Sequence, residues 1–130
     1  MDKIWLDTDF LADLLRKNPS AEAFVKEHEQ KVGLATTYVN LFELYNGAFT
    51  SERKETNLKA VELLKERLVL LNLTDNSVKS AGQLLAQLKK EGTLIDFRDL
   101  FIGCIAREHN YAIKTNNIKH FSKIPNLRIV

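Results

Sequence analysis

Cysteine is nearly missing from this chain. Cys104 is the only one among 130 residues, so no internal disulfide can form, which argues against an oxidised, secreted scaffold. Two prolines and five glycines are too few for a collagenous or low-complexity chain. No apolar run approaches the ~18 residues of a membrane span, and the opening Met1-Asp2-Lys3-Ile4-Trp5-Leu6-Asp7 is too acidic and too short in its apolar part for a signal peptide. An excess of one charge is also missing. Nineteen Lys and Arg against seventeen Asp and Glu leave a formal net charge of +2, which excludes a nucleic-acid binder driven by its overall field. Any contact with nucleic acid has to be made at a local site. Zinc ligation is excluded by spacing, because His28, His109, His120 and Cys104 fall at neither finger nor HExxH intervals. One globular domain over residues 1–130 is expected, cytoplasmic and without a membrane segment.

What is present is an alternation of short apolar runs and helical stripes. Ile4-Trp5-Leu6 stops at Asp7-Thr8-Asp9, after which Phe10, Leu11, Leu14 and Leu15 recur at helical spacing. Asn18-Pro19-Ser20 caps a second helix to about Glu29. Gly33-Leu34-Ala35 reads as a strand, and Thr36-Thr37 leads into a helix reaching about Phe49. Leu58, Val61, Leu64 and Leu68 form one stripe before Leu68-Val69-Leu70-Leu71 crosses into a third strand. Thr74-Asp75 caps a helix with Val78, Ala81, Leu84, Leu85 and Leu88 inward and Gly92 closing it. Residues 98–109 are apolar almost all round, as a buried helix requires. Ala112-Ile113 and Leu127-Arg128-Ile129-Val130 read as two more strands. Strands alternating with helices imply crossovers, so an α/β/α sandwich with a five-stranded, mostly parallel, doubly wound sheet is expected. Its ligand site belongs beyond the carboxyl ends of the strands, where strand order reverses.

Three acids stand where local structure favours something else: Asp7 ends the first strand, Glu43 interrupts the apolar run Val39–Tyr45, and Asp99 opens the buried helix. Each has a plain structural reading. Asp7 suits a helix cap, Asp99 suits a helix N-terminus, and Glu43 suits a solvent face shared with Asn40, Asn46 and Gly47. Together they converge on one sheet edge. Carboxylates without a His/Cys set suit hard cations such as Mg²⁺ or Mn²⁺. Asp96, one turn before Asp99, reads first as a cap and second as a further acid on the same face. Of Lys114, Lys119 and Lys123 near the last motif, at least two read as solvated surface.

At these residues the chain resembles the PIN-domain family, specifically VapC-type toxin ribonucleases of toxin–antitoxin pairs. The resemblance rests on Ile4-Trp5-Leu6-Asp7-Thr8, on Thr36-Thr37-Tyr38-Val39-Asn40-Leu41-Phe42-Glu43-Leu44, on Gly92-Thr93-Leu94-Ile95 with Asp99-Leu100-Phe101-Ile102-Gly103-Cys104-Ile105-Ala106, and on Thr115-Asn116-Asn117 through Pro125-Asn126-Leu127. Each piece is weak alone, and the four in order span nearly the whole chain. The resemblance implies Asp7, Glu43 and Asp99 as metal-binding acids, Asn117 at the fourth catalytic position and Thr115 as a supporting hydroxyl; Thr8 and Asp96 are placed beside them as supporting residues. Asp9, Gly103-Cys104 and His120 depart from the family pattern, which carries Asn or Ser, Ala-Ala and often an acid at those places. By resemblance the reaction is Mg²⁺- or Mn²⁺-dependent hydrolysis of RNA phosphodiester bonds, and the partners are a VapB-like antitoxin and a second copy of the chain. Leu41, Phe42, Tyr45 and Phe49 offer more apolar surface than one helix must bury.

Two other classes fit parts of the chain. Asp7-Thr8-Asp9 also looks like the Asp-x-Asp of haloacid-dehalogenase-like phosphatases, although Leu11 stands where that motif wants Thr or Val. A non-catalytic receiver-like domain shares the fold type but needs an acceptor Asp after the third strand, where Asn72-Leu73-Thr74 stand.

Overall fold

A computed structural model describes residues 3–130; Met1 and Asp2, the first two residues of the opening segment, lie outside them. The described chain runs β1 (Lys3–Leu6), α1 (Thr8–Leu15), α2 (Pro19–His28), β2 (Leu34–Thr37), α3 (Tyr38–Phe49), α4 (Lys54–Lys65), β3 (Val69–Leu71), α5 (Asp75–Lys90), α6 (Phe97–Glu108), β4 (Tyr111–Lys114) and α7 (Ile118–Phe121). The sheet is parallel throughout, in the order β3-β2-β1-β4.

Side chains alternate across a strand, and β1 shows the consequence. Ile4 and Leu6 enter a core with Phe10, Leu11, Val25, Leu41, Leu44, Val61 and Leu64, supplied by α1 to α4. Trp5 faces the other way, into a core with Leu84, Leu88, Leu100, Ile102, Ile105 and Phe121 from α5 to α7. Two cores, one on each face, explain why the strands read as continuous apolar runs.

The helix starts obey local chemistry. The Asn18 side chain accepts from the Ser20 and Ala21 N–H groups with Pro19 at the first helical position. Thr37 and Asn40 form a capping box on α3, and Thr74 and Ser77 form one on α5. Gly92, at φ +72°, takes the left-handed conformation just past α5.

Four expectations need correction. The fifth strand is reduced to a bridge between Ile113 and Ile129, held by Ile113 N–H to the Arg128 carbonyl and Val130 N–H to the Ile113 carbonyl, each 2.8 Å. Pro125 has no N–H and Asn126 sits at φ +63°, so pairing begins only at Arg128. The short helix α7 has no counterpart in the sequence pattern, because four residues carry no periodicity. Val78 is about half exposed while Ala81, Leu84 and Leu88 are buried, since the packed stripe of α5 begins one turn later. Asn40, expected on a solvent face with Glu43, is fully buried.

Strand order reverses between β1 and β4. Asp7 comes directly after β1 and Thr115 directly after β4, and the Asp7 N–H donates to the Lys114 carbonyl at 3.0 Å. The chemistry expected at a switch point therefore gathers at this edge.

Candidate active site

A cleft of about 650 Å³ opens there, lined by Asp7, Thr8, Asp9, Glu43, Asp96, Arg98, Asp99, Asn117, His120 and Lys123, with Leu94 and Ile95 on its apolar side. Several elements and their junctions contribute, and the expected acids meet in one place. Thr115 lies beneath them, buried.

Asp7 is the innermost acid. It caps α1, with Oδ1 accepting from the Thr8 N–H at 2.9 Å, so its cap reading and its site position hold together. The same oxygen accepts from Asn40 Nδ2 at 3.2 Å, and Oδ2 accepts from the Thr115 hydroxyl at 2.7 Å. Burial pushes its carboxyl up from 3.8 to about 6; the Thr115 hydroxyl opposes the rise, and the charges of Asp9 and Asp99 add to it. Glu43 reaches the cleft from the second turn of α3. Its Oε1 accepts from the Thr8 hydroxyl at 2.7 Å, and its Oε2 lies 3.4 Å from Arg98 Nη1. Asp99 comes from the first turn of α6 and lies 3.3 Å from His120 Nδ1. Burial raises its carboxyl too; His120 lowers it, while Asp96 and Glu43 raise it further.

Asp96 caps α6, accepting from the Arg98 N–H at 2.8 Å. Arg98 also grips it through Nε and Nη2, at 3.3 and 3.2 Å, and these contacts hold its carboxyl below the usual range. The cap reading of Asp96 is thus correct, with an added hold on Arg98. Asn117 donates its side-chain amide to Asp9 Oδ2 at 2.8 Å and its N–H to the Thr115 hydroxyl at 3.0 Å. Lys123 lines the cleft, its Nζ on the Leu94 carbonyl at 2.7 Å. Lys114 turns away to lie 4.9 Å from the centre of the Phe24 ring, and the exposed Lys119 does not line the cleft.

Sequence reasoning missed Asn40 and Arg98. Asn40 ties three groups together: its Oδ1 accepts from the Thr37 hydroxyl at 2.6 Å, and its Nδ2 reaches Thr8 Oγ1 at 2.8 Å as well as Asp7. The Thr-x-x-Asn spacing of a capping box is visible in the sequence, but not the direction of the spare amide hydrogens. Arg98 sits between two acids in sequence, Asp96 and Asp99, yet its bond to Glu43 is a tertiary event.

The donor set fits a hard divalent cation. The three acids offer only oxygen, and Asp7 and Asp99, raised first by burial and then by neighbouring carboxylates, are the kind of acids a cation favours in their charged form. Among the described residues no three His, Cys, Asp or Glu side chains close on one point as a finished shell. Arg98 and His120 already face the outer oxygens of Glu43 and Asp99, and a cation of this class retains several waters.

The PIN domain family model matches residues 4–127. The chain belongs to that family. It is similar to the ribonuclease VapC1 of Haemophilus influenzae strain R2866, 32% identical over 124 residues that cover 95% of this chain and 92% of the relative. The tRNA(fMet)-specific endonuclease VapC of Salmonella typhimurium is 34% identical over 91 residues, 70% of this chain and 69% of that one. Among solved structures, VapBC2 from Rickettsia felis bound to a DNA fragment from its promoter has a chain that superposes with a TM-score of 0.90 at 28% identity, covering 98% of this chain and 96% of that one. The Asp7-Thr8-Asp9 opening is therefore a PIN opening. The phosphatase reading also lacks a free second acid, because Asp9 accepts from the Phe10 N–H at 2.7 Å and from Asn117. The receiver reading fails at Asn72, whose side chain accepts from the Leu73 N–H after β3. No helix among the described residues is long and apolar enough to cross a membrane.

Proposed function

We propose that this PIN domain is a Mg²⁺- or Mn²⁺-dependent endoribonuclease, the toxin of a VapBC-type pair. The observation that carries the proposal is the meeting of Asp7, Glu43 and Asp99 in one cleft at the β1–β4 switch, with burial raising two of them. Asp7, Glu43 and Asp99 are the residues that would hold the cation, with Asn117 at the fourth position. When bound, such a cation supplies a water of lowered pKa and charge stabilisation for a phosphoryl oxygen.

The chain's own residues prepare that chemistry. Thr115, the Thr8 N–H and Asn40 fix both oxygens of Asp7, so it needs no reorganisation on ligation. The Thr8 hydroxyl orients Glu43. Asn117 holds Asp9 at the rim and, through its N–H on Thr115, ties the α7 loop to Asp7. The cleft is open, so an unpaired strand of RNA can present its backbone there. Hydrolysis leaves a 5′-phosphate and a 3′-hydroxyl. A VapB-like antitoxin, a homodimer, a cytoplasmic setting and a single domain over residues 1–130 belong to the same proposal.

Cleavage of a labelled single-stranded RNA in Mn²⁺ tests it. Glu43→Gln removes one carboxylate and is expected to lower the rate roughly a hundredfold or more, equivalent to ~3 kcal/mol or more of transition-state stabilisation. Asp9→Asn is expected to lower it far less. A dead Asp9→Asn beside an active Glu43→Gln would refute this assignment of the acids.

A further inference from the structure

On the cleft floor both oxygens of Asp7 and both of Glu43 are occupied, and one occupant is unlike the rest. Thr8, Asn40 and Thr115 are neutral donors held by packing. Arg98 is a permanent cation with its side chain about half exposed (54%), reaching across from α6 to Glu43 on α3. Its hold on Asp96 is two-pronged, through Nε and Nη2, whereas Glu43 takes only Nη1, and at 3.4 Å. A planar guanidinium gripped along one edge keeps its direction when its other nitrogen changes partner. The single contact to Glu43 is the longer of the two and has one point of attachment, so it is exchanged at little cost.

We propose that Arg98 is the residue that holds a phosphate of the RNA strand, with Asp96 as its positioning residue. The inference rests on the ribonuclease reading and names a substrate contact within it. In the resting protein Nη1 covers Glu43. When a divalent cation takes Glu43, the guanidinium stays aimed into the cleft by Asp96 and turns its free N–H donors to a non-bridging phosphate oxygen. Its neighbour in sequence, Asp99, is one of the cleft acids, so the phosphate is held beside the reacting centre. A guanidinium matches that oxygen geometry better than an ammonium does.

Four measurements on the full chain test this: melting temperature, Mn²⁺ binding by calorimetry without RNA, steady-state cleavage of a labelled single-stranded RNA in Mn²⁺, and the salt dependence of RNA binding in Ca²⁺. Arg98→Gln is expected to melt like the wild type and to bind Mn²⁺ at least as tightly, since Glu43 loses a competitor. Its KM should rise about tenfold with kcat within about threefold, and the slope of log affinity against log salt should shrink by roughly 0.7, the value for one contact to a single strand. Asp96→Asn retains a good cap but loses the charged grip, and should raise KM by a smaller factor. Arg98→Lys should recover part of the loss. An unchanged KM and salt slope in Arg98→Gln would overturn the proposal, as would weakened Mn²⁺ binding with a collapsed kcat, which marks a residue that only supports the acids. If the wild type itself neither binds nor cleaves RNA, the ribonuclease reading fails and this inference falls with it; if the wild type cleaves and Arg98→Gln is unaffected, this inference alone fails.

Discussion

Asp7 carries the largest electrostatic strain of the site. Its carboxyl is raised to about 6 in the folded protein, mainly by burial, from an ordinary 3.8. A raised folded value means that folding favours the protonated form. The associated stability is fully present below about pH 4 and is lost as pH rises through about 6. The shift corresponds to about 3 kcal/mol at neutral pH. Asp7→Asn, which retains the acceptor for the Thr8 N–H, is therefore expected to melt higher than the wild type at pH 7 without metal, and to lose the fall in stability between pH 4 and 6. Saturating Mn²⁺ should reverse the order, stabilising the wild type and not the variant. Thermal melting across pH, with and without Mn²⁺, is the measurement; equal melting temperatures at pH 7 without metal would show that burial does not strain Asp7. Buried Cys104, by contrast, has its thiol raised by burial, which outweighs the opposing Arg107 guanidinium 3.9 Å from its Sγ and the Ser80 hydroxyl, so it stays a protonated packing residue.

At the scale of elements, α6 does two tasks at once. Its first turn brings Arg98 and Asp99 to the cleft, while Leu100, Ile102, Gly103, Cys104, Ile105 and Ala106 are buried. Gly103 permits this, because a Cβ there would overlap the Cδ1 atom of buried Ile124 and touch Leu127. The small pair Gly103-Cys104 is thus a fit to the segment after α7. Helix propensity favours Gly103→Ala by about 1 kcal/mol, and overpacking opposes it by roughly 1–3 kcal/mol. A net loss of about 1 kcal/mol is expected in denaturant unfolding. Ile124→Val removes the offending methyl, so the double variant should recover that loss. A double variant whose loss equals the sum of the two single losses would mean that the two positions do not meet.

Across the whole molecule, the cores on the two faces of the sheet leave a set of large apolar side chains outside. Phe42 is 59% exposed and Phe49 57%, on a helix whose Leu41 and Leu44 are buried. Phe97 and Leu94 are exposed as well. So much exposed aromatic surface is more than a small monomer ordinarily presents. Self-association is expected at tens of micromolar, a rough range for moderate homodimers, and Phe42→Ser should weaken it. Light scattering decides; a strict monomer for the wild type at that concentration would count against the dimer.

Periodicity and chain chemistry alone determined the elements from β1 to β4, the parallel sheet and the anomalous positions of the three acids. These features are local. A strand buried on both faces must be apolar throughout, Asn18-Pro19 and Thr74 each cap the helix that begins beside them, and a carboxylate in an apolar run is visible as an anomaly. Tertiary structure decided the rest. That Asn40 points inward, that Arg98 crosses to Glu43 and that Asn117 answers Asp9 each depend on residues far apart in sequence, 32 to 108 positions for the hydrogen bonds of Asn40 to Thr8 and of Asn117 to Asp9. The reduction of the last strand to a single bridge had the same origin, since Pro125 and Asn126 set where backbone pairing begins. Apolar burial is additive along the chain and can be read one residue at a time. The direction of a single hydrogen bond depends on which partner the fold brings within about 3 Å, and no local pattern encodes that.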